Sequence, residues 1–313
     1  ANASTFRQGL GELNKAVENY EKYLELYGKR DVNKSAEVYF QIATIYEQQG
    51  RKKDAYNQYQ SYIKKFGKKG PKDRYLDAHM KVALYFWNQR GSSNRATGLK
   101  WSKKTLKEYN KLDKASQEEL TTGRDAAAHA RFILGEEVFA KMTKIKIDSP
   151  NEKKLKKRLQ EKIKVAQEAK KIFESVILFG RPDWAIAALY RIGAGFQDLA
   201  ENIRKSPPPK RLSYDQKEIY RGILEDQASQ IENLAVDAYV RALDIAKDKS
   251  WFNDYSKKAE ISLSQLRPKE YRRPSELRSQ PDHFASGFAR VSFIKEFEDE
   301  DQLSDLYAGS AAP

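Results

Sequence analysis

Three histidines, His79, His129 and His283, are the chain's only imidazoles, and their separations match no His-Glu-x2-His or other metal-ligand spacing. Cysteine is absent, which excludes disulfides, thiolate metal sites and cysteine nucleophiles together. Gly193-Ala194-Gly195-Phe196 has the glycines of a phosphate loop, but it lies inside a helical pattern and no Lys-Ser/Thr pair follows it. Acidic residues are plentiful, yet none sits beside a recognisable nucleophile or a glycine-rich loop. The expectation is a protein that is not an enzyme, with no metal and no cofactor, whose histidines are surface or helix-packing residues.

The remaining chemistry is charge. The 313 residues carry a formal +14, with polybasic segments at Lys64–Lys72 and Lys153–Lys164. Such a balance suits nucleic acid, and a basic nucleic-acid-binding helical repeat protein is the alternative function. Leucines and an isoleucine stand at core spacing within the second segment, however, and no exposed aromatics interleave with its lysines. That pattern favours a solvated helix face over phosphate contact, with an anionic lipid or envelope polymer as a further partner. With 33% charged residues and no apolar run near the roughly 20 residues needed to cross a bilayer, the chain does not read as a membrane protein.

The elements that carry these residues read as helices. Between Ala36 and Lys69, the spacing of Tyr39, Ile42, Ala43 and Tyr46 places them on one helical face. Ala55, Tyr59 and Tyr62 share a face of a second helix, with Gly50 as the turn between the two. Small Ala43 and Ala55 allow close approach, and the tyrosines fill the space to the next hairpin. One hairpin cannot bury its apolar face alone, so neighbours are expected on both sides.

They follow along the chain. Ala16-x3-Tyr20-x2-Tyr23 repeats the second-helix pattern, with its first helix missing or degenerate, as in an array continued from further repeats or begun by a cap. Val82-Ala83-x2-Phe86 opens a hairpin whose second helix, Leu99 to Tyr109, matches less closely. Leu134-Gly135 pairs with Ala169-x3-Phe173-x2-Val176 across a lysine-rich insertion, and Ile192-Gly193-x2-Phe196 pairs with Ala235-x3-Tyr239-x2-Ala242. An apolar stripe of Leu155, Leu159, Ile163 and Ala166 runs through that insertion, which predicts lengthened helices rather than a loop, and a long helix from about Tyr214 elongates the last hairpin too. Asp183 is placed to cap its helix, Ser206-Pro207-Pro208-Pro209 must end it, and Trp251 to Leu266 supplies a closing helix.

This pattern, Y-x2-I-A-x2-Y-x3-G-x4-A-x3-Y-x2-Y, resembles the tetratricopeptide repeat, whose period is about 34 residues. The resemblance implies an all-α, right-handed solenoid of antiparallel helical hairpins; in this chain it is expected over 1–267 with the two distal hairpins elongated, and Arg267-Pro268 ends regular structure before an irregular tail over 268–313. It also implies a non-enzymatic protein-protein interaction scaffold whose concave groove binds a peptide or partner protein. Carried over by position, groove residues are Phe40, Met80, Phe132 and Tyr190, then Thr44 and Leu84, then Trp87. The alternative for the first of these sets is packing against adjacent helices. The basic clamp by which co-chaperone members hold acidic C-termini has no counterpart, since Glu37, Thr44 and Glu47 occupy that surface.

Trp251-Phe252-Asn253, Leu266-Arg267-Pro268-Lys269-Glu270-Tyr271 and Pro274-x-Glu276 are similar to C-terminal regions of envelope-associated repeat proteins of gliding and predatory deltaproteobacteria. That similarity implies a bacterial periplasm or cell envelope, with the cytoplasm as the alternative. Phe284, Phe288, Phe293 and Phe297, with the acidic run Glu296–Asp301, are too apolar for a solvated linker, and the expectation is a docking segment for the chain's own solenoid or a neighbour.

Overall fold

The computed structural model describes residues 2–67 and 69–272, and within them every regular element is a helix. The chain divides into two compact units, Ala1–Leu263 and Ser264–Pro313. The aromatic and acidic segment from Phe284 to Asp301 lies outside the described residues.

Helices α1 (Asn2–Gly9) and α2 (Leu13–Tyr27) form the first hairpin, so a short first helix does precede the Ala16 pattern. Then come α3 (Val32–Gln48) with α4 (Lys52–Phe66), and α5 (Lys72–Trp87) with α6 (Ser92–Tyr109). After a one-turn helix α7 (Lys114–Glu119), α8 (Thr122–Lys144) pairs with α9 (Glu152–Ile177), and α10 (Pro182–Arg204) with α11 (Tyr214–Asp248). Each first helix packs on its own second helix; α5, α8 and α10 also pack on both helices of the preceding hairpin, and α3 packs on α2. This nearest-neighbour arrangement is a solenoid of antiparallel hairpins. Helix α12 (Asp254–Leu266) closes the series.

Local signals explain the boundaries. Asp31 caps α3 by accepting from Lys34 N, and Gly50, at φ +72°, makes the α3–α4 turn in a conformation that a side chain would strain. Ser213 and Gln216 form a reciprocal capping box that starts α11. Asp183 does not cap α10, whose N-cap is Arg181. Its carboxylate instead accepts from Trp251 Nε1 at 2.7 Å and Asn253 Nδ2 at 3.0 Å, tying the approach to α12 onto the start of α10.

Packing follows the repeat register. Ala36, Phe40 and Ala43 of α3 meet Tyr59, Tyr62 and Phe66 of α4 and Ala78 and Val82 of α5 in one core cluster. In the distal hairpins glycine replaces alanine where a second-helix ring presses hardest. A Cβ on Gly135 would lie 2.5 Å from the Phe173 ring, and one on Gly193 2.6 Å from the Tyr239 ring. Between α5 and α6 the substitution runs the other way: Gly98, Ser102 and Thr105 are buried, and the two hydroxyls donate back to Gly98 O and Trp101 O. This small-residue face accounts for the looser match of the second helix. The missing volume is filled from the side by Trp101, which meets His79 edge-on at 5.3 Å.

His79 is fully buried and neither ring nitrogen has a hydrogen-bond partner among the described residues. Burial, with Lys104 adding repulsion, pushes its pKa down to about 4. Because the folded value lies below the unfolded one of about 6.5, the neutral ring's contribution to stability is complete above pH ~6.5 and is lost as pH falls towards 4. His79→Leu is therefore expected to flatten the fall in melting temperature between those pH values. It should also raise stability at neutral pH by about 1 kcal/mol, since two unpaired buried nitrogens disappear. Thermal unfolding across a pH series checks this, and an unchanged acid slope would refute it.

Both distal hairpins are elongated: α9, which carries the lysine-rich insertion, has 26 residues and α11 has 35, against 15 for α4. Ile147, Leu199, Ala200, Ile203 and Ala228 form a separate core in this extension, flanked by Leu155, Leu159 and Ile163. One lysine of the polybasic stretch departs from the solvated-face expectation. Lys162 is completely buried, donating to Met142 O at 3.1 Å and Ile145 O at 2.9 Å and pairing with Asp198 at 2.5 Å. It satisfies carbonyls at the end of α8 while bridging to α10.

Candidate partner-binding face

The first helices of the last four hairpins, α3, α5, α8 and α10, follow one another, and the residues expected to line their shared face divide into two groups. Phe40, Met80 and Phe132 are buried, at 3%, 2% and 3% exposure. The Phe40 ring meets Tyr59 and Tyr62 edge-on at 5.2 and 5.6 Å, and the Arg74 guanidinium stands 4.8 Å from its centroid. Phe132 lies 5.4 Å from both Phe173 and Trp184, and Met80 sits in the core shared by α5, α6 and α8. Their register falls on the seam between a first helix and its packed neighbours, so these three hold hairpins together and offer little surface to a partner.

Thr44, Leu84, Trp87 and Tyr190 are half-buried. Thr44 donates its hydroxyl back to Phe40 O at 3.2 Å. Tyr190 leans on Tyr239 and Tyr255 at 5.8 and 5.7 Å between centroids. Trp87 carries the Arg95 guanidinium 4.2 Å from its ring centroid, and Arg95 is itself fixed by Glu137 at 2.7 Å. Leu84, one turn before Trp87 on α5, and Trp87 pack partly against the core shared by α5, α6 and α8 and leave the rest of their apolar surface exposed.

Charged residues that the repeat pattern did not single out stitch the first helices together. Glu37 binds Arg74 and Glu47 binds Lys81 between α3 and α5, Asp73 of α5 accepts from Thr121 N and Gly123 N at the start of α8, and Glu136 binds Arg191 between α8 and α10. Opposite charges one repeat period apart, 34 residues for Glu47 and Lys81, are a sequence signal that would have found one of these pairs. Asp77 stands beside them. Burial lifts its carboxyl to about 6 against the pull of Lys81 and Arg74, with Glu47 and Asp125 adding repulsion. His129 stacks on Trp184 at 3.8 Å, and burial reinforced by Lys81 holds it neutral, with a pKa down to about 3. The face is thus apolar at Leu84 and Trp87 and flanked by fixed charges of both signs.

A cavity of about 490 Å³ lies among α6, α7, α8 and α9, lined by Tyr109, Phe179, Arg124 and Arg131 among others. Arg131 is committed to Ser175 Oγ at 2.7 Å. Four elements contribute its walls, which no single sequence pattern could have grouped. Among the described residues no cluster of His, Asp or Glu has the makings of a metal site, and no helix is long and apolar enough to cross a membrane.

No family model and no curated protein matches the sequence. Among solved structures, the chain is similar to a TPR repeats protein from Bacteroides fragilis, with a TM-score of 0.38 and 12% sequence identity over 85% of this chain and 96% of that one.

Proposed function

We propose that this protein is a non-enzymatic scaffold that binds a partner protein on the face built by α3, α5, α8 and α10. The observation that carries the reading is the half-exposed pair Leu84 and Trp87, set on a face whose neighbouring helices are held in register by ion pairs. A surface fixed in this way loses little freedom on binding, so a few apolar anchors suffice. The bound segment is a helix or extended peptide presenting an apolar side chain to Trp87. A bacterial envelope setting is part of the proposal, supported by the distal sequence similarity around Trp251 and Leu266, and fractionation of the native host tests it.

The test uses a photo-crosslinking residue at position 84, a second at exposed Lys103 on α6 as control, and identification of the captured protein. Capture from 84 and not from 103 is expected. With that partner in hand, Trp87→Ala should weaken binding by about 1–2 kcal/mol, roughly tenfold, with helicity retained. Equal capture from both positions, or unchanged affinity of the alanine variant, would sink the reading.

A further inference from the structure

The positive charge of this chain is concentrated. Segment 141–164 holds ten basic residues against three acidic ones and segment 204–217 holds five against one, so together they account for eleven of the fourteen net positive charges. The first segment joins α8 to α9 and the second joins α10 to α11. Far apart in sequence, they meet in the fold: Pro150, Asn151, Glu152 and Lys153 line one cavity of about 430 Å³ with Pro209, Lys210 and Arg211.

Five of the fifteen basic residues are spent on carboxylates within the protein, among them Lys162 on Asp198, Arg158 on Asp148 and Arg204 on Glu225 and Glu232. The other ten, nine lysines and Arg211, have no carboxylate within 4 Å among the described residues, and all but the half-exposed Lys217 are exposed. Mutual repulsion of so many cations would splay a flexible loop. Here the apolar cluster of Ile147, Leu199, Ile203 and Ala228 holds the two hairpin ends together beneath them. A charge cluster kept dense by its own small core has a strong local potential and attracts a surface of opposite sign.

We propose that the joined ends of the α8–α9 and α10–α11 hairpins bind an anionic phospholipid surface. Lysine ammonium groups act as compact point charges that follow a diffuse negative potential, and nine of the ten free cations are lysines. Tyr214, 77% exposed and three residues after Arg211, has the apolar body and polar tip that settle at headgroup depth. Single-stranded nucleic acid would call for a series of rings on which successive bases stack, and Tyr214 is the sole aromatic residue in the two segments. This surface is separate from the first-helix face, so the two proposals stand or fall independently.

The experiment is co-sedimentation of the full chain with vesicles of phosphatidylcholine alone or with one third phosphatidylglycerol. Binding to the anionic vesicles only is expected, weakening as salt is raised. The variant K153Q/K210Q/R211Q should lower partitioning by on the order of tenfold to a hundredfold. K22Q/K29Q/K34Q, which removes three exposed cations from α2, the following turn and α3, should leave partitioning unchanged, and circular dichroism should show both variants folded. Binding to neutral vesicles, or an equal loss in the two triple variants, would overturn the proposal. So would a single-stranded RNA that binds through Lys153, Lys210 and Arg211 while anionic vesicles do not.

Discussion

Replacing Phe173 with alanine is expected to lower stability by about 4 kcal/mol, the cost of emptying a large aromatic site in a packed interior. Phe173 is 1% exposed, lies 5.4 Å from Phe132 and 6.5 Å from Phe139 between ring centroids, and presses against the backbone of α8 at Gly135. The same contact works in reverse: Gly135→Ala puts a methyl 2.5 Å from the Phe173 ring and should cost about 2 kcal/mol by overpacking. Combining Gly135→Ala with Phe173→Leu should then cost less than the two single changes together, because the smaller side chain admits the methyl. Denaturant unfolding of the cycle measures the coupling. Strict additivity would mean that the ring and the glycine do not share the contact described.

Lys162→Met is expected to be the most damaging change in the lysine-rich stretch, at about 3 kcal/mol, while neutralising any one exposed neighbour such as Lys157 should change stability by less than about 0.5 kcal/mol. The ammonium is buried, donates to Met142 O and Ile145 O and forms an ion pair with the Asp198 carboxylate. Methionine fills much of the same volume but leaves two carbonyls without their donor and a carboxylate without its counter-ion. Adding Asp198→Asn should recover part of the loss, since Asn202 already donates to the Asp198 side chain at 3.3 Å. A loss for Lys162→Met no larger than that for Lys157→Gln in urea unfolding would show that the bridge contributes nothing.

Lys162 also marks the limit of reading by pattern. Its neighbours Leu159, Ile163 and Ala166 announce a helical stripe, and from that stripe alone a lysine beside it belongs to the solvated side. The side chain turns inward because α8 ends at Lys144 with carbonyls lacking partners and because Asp198 approaches from α10. Phe40, Met80 and Phe132 make the same point at the candidate binding face. Their register and apolar character are evident in the sequence, yet a large apolar residue at one helical position reads the same as an anchor or as a pillar.

The sequence by itself determined what is local and periodic. Spacings of three and four set the helical faces, Ala and Gly at fixed offsets set which helices approach closely, and Gly50 and the proline run end helices because of backbone geometry that acts within a few residues. The hairpin series, its elongated distal members and the closing helix follow from these. Only the tertiary structure decided which residues at one register stay half-exposed, that Asp183 serves Trp251 and Asn253 rather than its own helix, and that two basic segments some fifty residues apart form one surface. Those outcomes depend on which side chains arrive from other hairpins, and a repeat pattern records the spacing within a hairpin but not the identity of what packs against it.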